Sequence, residues 1–234
     1  MKYKKVLAIG DLHIPYHHKD SFAFLRALKK KYKGFDLVVN MGDELDQHAI
    51  SMHDSNPDLP SAGDELRLAK TYVKELEGIF PDMTLLDSNH SSLVYRRALK
   101  YGLPKAYLKH YNEFLDVGKG WKWVDDLTIS LNDGSRCFFT HGMSANVLQI
   151  EQKMGMHAVQ GHYHSKASIQ YYSNPDNLNW AMQTGCLTNQ QSLAFGYSKN
   201  FKDRFICSSA VIIDGQPRIH PMVIKNHRWI GKVV

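Results

Sequence analysis

The sequence is short of sulfur, of long apolar runs and of repetition. Its three cysteines, Cys137, Cys186 and Cys207, include no C-x-x-C pair and cannot all pair with one another. A reducing compartment, the cytoplasm, is the simpler setting for such a chain. The opening Met1-Lys2-Tyr3-Lys4-Lys5 starts like a secretory leader, but the apolar run Val6-Leu7-Ala8-Ile9 stops at Gly10-Asp11. That is too short for a leader core, and no other stretch approaches the length of a membrane span, so no membrane partner is expected. The absence of a fixed-period repeat excludes a solenoid or propeller. No compositional break marks a linker, so the 234 residues are read as one domain, 1–234. What is present is an ordinary globular composition, 43% hydrophobic and 22% charged. The net charge of +6 and pI near 9.1 tilt the chain toward an anionic partner.

Val6-Leu7-Ala8-Ile9 is a continuous apolar run that reads as a strand buried on both faces, and Leu37-Val38-Val39-Asn40 reads as a second buried strand. Between them, Phe22, Leu25, Leu28 and Tyr32 recur at helical spacing. Strand, helix, strand is a βαβ unit, whose right-handed crossover puts both following loops at one sheet edge. Residues 47–63 read as a loop over that edge, 64–79 as a helix, and 83–86 as a third strand. Helices are predicted over 91–101 and 104–113, with Pro104 at the first helical position. Residues 91–115 would then form a helical cap. Strands follow at 121–124, 127–131 and 136–140, with Asn132-Asp133-Gly134 as a hairpin turn. A helix over 145–154, a strand at 157–160, and strands at 167–172, 180–184, 205–213 and 218–224 complete an α/β (α+β) chain with two stacked sheets flanked by helices.

Five polar clusters stand behind apolar runs: Asp11-Leu12-His13, Gly42-Asp43-Glu44-Leu45-Asp46, Asp87-Ser88-Asn89-His90, His141-Gly142 and Gly161-His162-Tyr163-His164. They supply seven oxygen or imidazole donors: Asp11, His13, Asp43, Asn89, His141, His162 and His164. Seven are too many for one metal ion and suit two that share a carboxylate. Asp43 is the natural bridge. Alternating His-Tyr-His, read as extended chain, would put both imidazoles on one side.

The order of these motifs resembles that of the calcineurin-like metallophosphoesterases, whose pattern is D-x-H, G-D-x-x-D, G-N-H-D/E, H and G-H-x-H; the resemblance runs from residue 11 to 164. It implies a β-sandwich of two mixed sheets flanked by helices. It implies that Asp11, His13, Asp43 and His164 hold one metal, and that Asp43, Asn89, His141 and His162 hold the other. Two divalent ions about 3.5–4 Å apart would lower the pKa of a bridging water, orient it and neutralise phosphate oxygens. His90 would protonate the leaving oxygen or donate a hydrogen bond to the phosphate. Manganese is the expected metal, with iron, zinc and nickel compatible with the same donors. Asp46 matches the second acid of G-D-x-x-D and is expected to support a ligand rather than bind metal.

The chain departs from the family pattern at Ser88, where glycine is usual, and at Ser91, where an acid is usual. A non-glycine residue at 88 is costly if the turn needs positive φ, and without an acid at 91 the carboxylate expected to orient His90 is missing. The segment from Gly42 to His48 and Asn89-His90-Ser91 also lack the phosphoprotein-phosphatase signatures G-D-x-V-D-R-G and G-N-H-E. Arg96 and Arg97 follow Asn89-His90 by about two helical turns and are candidate bidentate phosphate ligands. His17, His18, His48 and His53 read as surface histidines, Lys29-Lys30-Lys31 with Lys33 as a solvated helix tail, and Phe195–Phe201 as a surface loop with the composition to stack a base.

The reading that results is a two-metal phosphodiesterase of the nuclease-like branch, acting on DNA, RNA or nucleotides. A phosphomonoesterase, a phosphodiesterase for cyclic or dinucleotide substrates, and a non-catalytic metal-binding scaffold are the alternatives.

Overall fold

The computed structural model describes residues 1–52, 56–195 and 204–234. His53 and the part of the Phe195–Phe201 stretch beyond Phe195 lie outside them. Two six-stranded mixed sheets stack face to face, with five α-helices outside them among the described residues. One sheet runs β12 (Gln216–Pro221), β11 (Ser208–Ile213), β2 (Lys5–Ile9), β3 (Leu37–Asn40), β4 (Met83–Leu86), β5 (Trp121–Val124). The other runs β1 (Lys2–Tyr3), β6 (Leu127–Leu131), β7 (Arg136–Thr140), β8 (His157–Gln160), β10 (Leu178–Thr184), β9 (Ala167–Ser173). A small hairpin, β13 (Ile224–Lys225) and β14 (Arg228–Trp229), ends the chain.

The continuous apolar runs are explained by burial on both faces. In β2, Val6 and Ala8 join Val39, Met41, Leu86, Phe139, Val159 and Met182 between the sheets. Leu7 and Ile9 point the other way, into a core shared with α1 (Ser21–Tyr32) and α2 (Ala62–Ile79). On the far face of the second sheet, Ile150 of α5 (Leu148–Met154) meets Phe138, Ala158 and Ala181. The result is helices, sheet, sheet, helix, with β2, β3, β4 and β5 mutually parallel. Their C-terminal ends therefore open on one edge, and β7 and β8, also parallel, supply the adjoining edge.

Several expectations need correction. The helix predicted over 104–113 is a 3-10 turn at Lys105–Tyr107 followed by a break and α4, Tyr111–Leu115. The break turns Tyr111 inward, where its ring stacks on Trp123 at 5.1 Å, while Tyr95 Oη donates to the Lys109 carbonyl at 3.0 Å. Tertiary packing overrides helical spacing here. The helix expected from Ala145 begins at Leu148, because Asn146 Oδ1 accepts from Leu148 N at 3.2 Å and Ser144 Oγ from Asn146 N at 3.2 Å. The strand expected from Phe205 begins at Ser208. The segment 91–101 yields the shorter helix α3, Leu93–Lys100. The three cysteines are free. Among the described residues no helix is long and apolar enough to cross a membrane.

Candidate metal centre

All seven predicted donors lie one to four residues beyond the ends of β2, β3, β4, β7 and β8, and the parallel topology brings them together. Asp11, His13, Asp43 and His164 offer ligand atoms that all lie within 4.8 Å of one another, and so do Asp43, His141 and His162. Asp43 belongs to both groups, its Oδ2 lying 3.3 Å from His13 Nε2 and 3.4 Å from His141 Nε2. Asn89 joins the second group through Oδ1, 2.8 Å from His141 Nε2.

Local backbone geometry aims these side chains. His13, Asp43 and His162 are non-glycine residues in the left-handed region, with φ of 52°, 49° and 68°. The segment from His162 to His164 is thus not the extended chain expected. The turn at His162 sends its imidazole to the His141 side, whereas His164 Nε2 lies 3.1 Å from Asp11 Oδ2. Gly161 is required by close approach: a Cβ there would stand 2.4 Å from Asp11 Oδ1 and 3.0 Å from Met41 Cβ.

The rear nitrogens are held so that the front nitrogens face the cluster. His13 Nδ1 meets Asp46 Oδ1 at 2.6 Å, with both side chains 2% exposed, and His141 Nδ1 donates to the Met41 carbonyl at 2.8 Å. This is the arrangement by which metal-binding imidazoles are usually oriented. A third grouping, His13, Asp46 and His90, is already closed by that direct His13–Asp46 bond.

The donor set fits a bound cation on three counts. Asp11 Oδ1 is buried with no hydrogen-bond partner, an expensive condition for a carboxylate. His13 Nε2 faces His164 Nε2 at 3.1 Å, and His141 Nε2 faces His162 Nδ1 at 3.1 Å; paired imidazole nitrogens at that range call for a positive centre between or beside them. The titration behaviour agrees. Burial opposes charge on His13, yet hydrogen bonds to Asp43 and Asp46 raise its pKa well above the ordinary imidazole value. His141 is likewise opposed by burial but lifted to about 9 by the Asp43 charge. Asp43 is disfavoured as an anion by burial, but the neighbouring His141 and His90 hold it well below the usual carboxylate range. The buried His and Asp groups could hold metal ions.

His90 stands at the rim with its side chain 19% exposed. Its Nδ1 is bonded to the Asp46 carbonyl, and its ring meets His13 edge-on at 4.6 Å. The backbone of the Asp43–Asp46 turn thus takes the orienting part expected of an acid at position 91. Desolvation lowers the His90 pKa below the ordinary imidazole value.

Arg96 lines an open groove with Asn89, Ser92, Thr140, His141 and His162 and donates one guanidinium hydrogen bond to the Asn89 carbonyl. Arg97 is not among the residues that line it. Its Nε donates to Ile50 O at 2.9 Å and a terminal nitrogen to Ser51 O, tying α3 to the 3-10 turn at His48–Ile50. His17, His18 and His48 are not surface histidines, being 9%, 7% and 7% exposed. His17 is stacked on Phe22 at 4.6 Å with Tyr72 edge-on to it.

Sequence reasoning missed the residues that act through the backbone. Glu65 accepts from the amides of His48 and Ala49 at 2.9 and 3.0 Å and so fixes the loop after Asp46. Its only sequence signal is a carboxylate on the core-facing stripe of α2. The Met41 carbonyl left no signal at all.

No protein-family model matches the chain, and no curated protein matches it. Among solved structures, one crystal structure is 11% identical over 94% of this chain and 100% of its own, with a TM-score of 0.42. Another, of a phosphatase from Mycoplasma pneumoniae, is 13% identical over 95% of this chain and 89% of its own, with a TM-score of 0.34.

Proposed function

We propose that this protein is a two-metal phosphodiesterase that hydrolyses P–O bonds in nucleic acid or nucleotides. The observation that carries the reading is the pair of donor groups joined at Asp43, each with all its ligand atoms within 4.8 Å. Asp11, His13, Asp43 and His164 would hold one divalent ion, and Asp43, Asn89, His141 and His162 the other. Ions held there would supply Lewis acidity toward water and phosphate oxygen. Manganese is the metal we assign first, since these nitrogen and oxygen donors accept it as they accept iron, zinc or nickel.

The chain's own residues do the rest. Arg96 keeps guanidinium hydrogens directed at the groove and binds a phosphate oxygen there. His90, with Nδ1 engaged by the Asp46 carbonyl, presents Nε2 as the proton donor to the leaving oxygen. The open form of the groove and the net charge of +6 favour an extended anionic diester.

The test is turnover of bis(p-nitrophenyl) phosphate, p-nitrophenyl phosphate and single- and double-stranded DNA with added Mn²⁺, alongside elemental analysis. Two metals per chain and cleavage of diesters support the reading. Fast monoester turnover with uncut DNA would replace it with a phosphomonoesterase, and a metal-free inactive protein would leave a scaffold.

A further inference from the structure

We propose that Ser88 and Ser91 are positioning residues whose hydroxyls clamp the backbone of Asp43 and so hold the carboxylate shared by both donor groups; this rests on the two-metal reading above. The two side chains are buried, at 7% and 0% exposure, and every hydrogen-bonding valence of both hydroxyls is used. Ser88 Oγ accepts from Asp43 N at 3.0 Å and from Ser91 N at 3.0 Å. Ser91 Oγ accepts from Ser88 N at 2.8 Å. The two oxygens are 2.8 Å apart, and Ser91 Oγ donates onward to Asp87 Oδ1 at 3.1 Å, so the Ser88 hydroxyl must donate to Ser91. Tyr111 Oη donates to the same Asp87 oxygen at 3.0 Å, which anchors the chain of bonds on α4.

The clamp acts where the backbone needs a restraint. Asp43 is a non-glycine residue at φ 49°, in a region L-residues avoid. Its amide reaches no acceptor but Ser88 Oγ among the described bonds. A glycine at 88 would leave that amide buried without a partner. Ser88 itself has no positive φ, so serine there carries none of the strain expected of it. Its Cβ is packed tightly instead: a Cβ added to Gly42 would stand 2.8 Å from Ser88 Cβ and 2.6 Å from His141 Nδ1. The two positions at which the chain departs from the motif are therefore complementary.

Two readouts separate positioning from general stability. Amide hydrogen exchange at Asp43 should speed up at least 100-fold in Ser88→Ala, and Mn²⁺ affinity by calorimetry should fall at least tenfold. Val73→Ala, which opens the α2 core away from the site, should unfold more easily yet bind Mn²⁺ as the wild type does. Should Ser88→Ala not fold, Ser91→Ala keeps the Asp43 acceptor but frees its orientation, and a loss of threefold or more is expected. Wild-type exchange and affinity in the serine variants, or an equal affinity loss in Val73→Ala, overturns the clamp and leaves the two-metal reading intact. A wild-type protein that binds no Mn²⁺ overturns that reading, and exchange at Asp43 then decides whether the clamp exists.

Discussion

Removing the Asp46 carboxylate should weaken metal binding without moving His90. Asp46 Oδ1 stands 2.6 Å from His13 Nδ1, both side chains being 2% exposed. A charge-assisted hydrogen bond in such a place contributes about 1.5–3 kcal/mol, and its neutral counterpart roughly half of that. Asp46→Asn keeps an acceptor of the same shape and loses the charge, so it should cost about 1 kcal/mol, or roughly fivefold in affinity. Asp46→Ala also leaves Nδ1 buried without an acceptor, and the loss should approach 100-fold, the upper end for such supporting partners. His90 is bonded to the Asp46 carbonyl rather than to its carboxylate, so its placement survives both changes. A chelator-competition titration with Mn²⁺ reads the affinity, and a melting curve checks the fold. Wild-type affinity in a folded Asp46→Ala protein would refute the idea that this carboxylate makes His13 a better ligand.

Four further outcomes are expected. His90→Ala should retain its metals by elemental analysis while turnover of bis(p-nitrophenyl) phosphate falls about 10²–10⁴-fold; an unchanged rate makes His90 a bystander. Arg96→Ala should raise KM about tenfold through loss of one charged phosphate contact, with little change in melting because its own bond to the Asn89 carbonyl is exposed. Arg97→Ala should instead lower the melting temperature, because its bonds to Ile50 and Ser51 are internal. His17 is buried neutral, its pKa lowered to about 4 by desolvation. Below the ordinary value of about 6.5 the unfolded chain takes up a proton that the folded chain refuses, so stability falls as pH drops from 6.5 to 4, by about 3 kcal/mol at most. His17→Phe should remove that part of the slope in denaturant titrations at pH 7, 5.5 and 4; parallel curves for the two proteins would contradict it.

The sequence made the strands and the donors legible for one physical reason. A strand buried on both faces is apolar along its buried run, as Val6–Ile9 is in β2, and neighbouring parallel strands end in loops at the same edge. A carboxylate or imidazole just past such a run therefore has a known address. The illegible parts depend on contacts between distant segments. β1 has only two residues and exists because Lys2 and Tyr3 pair with Ser130 and Leu131. The interruption before α4 is decided by Trp123, twelve positions beyond Tyr111. Arg96 and Arg97 are adjacent in sequence, and only the direction of α3 separates the groove-facing one from the one turned toward Ile50. Ser88 and Ser91 stood out as departures, but what they do is visible only once Asp43 N is seen beside Ser88 Oγ.

The left-handed turns at His13, Asp43 and His162 have a consequence for how this protein tolerates change. Each holds an L-residue at a cost of about 1–2 kcal/mol, and glycine would relieve it. The most readily stabilised versions of this chain are therefore ones that have given up a donor. A selection for heat resistance alone would erode the site from these three positions first, whereas a selection that also demands metal must find its stability elsewhere, in the helical layers outside the sheets.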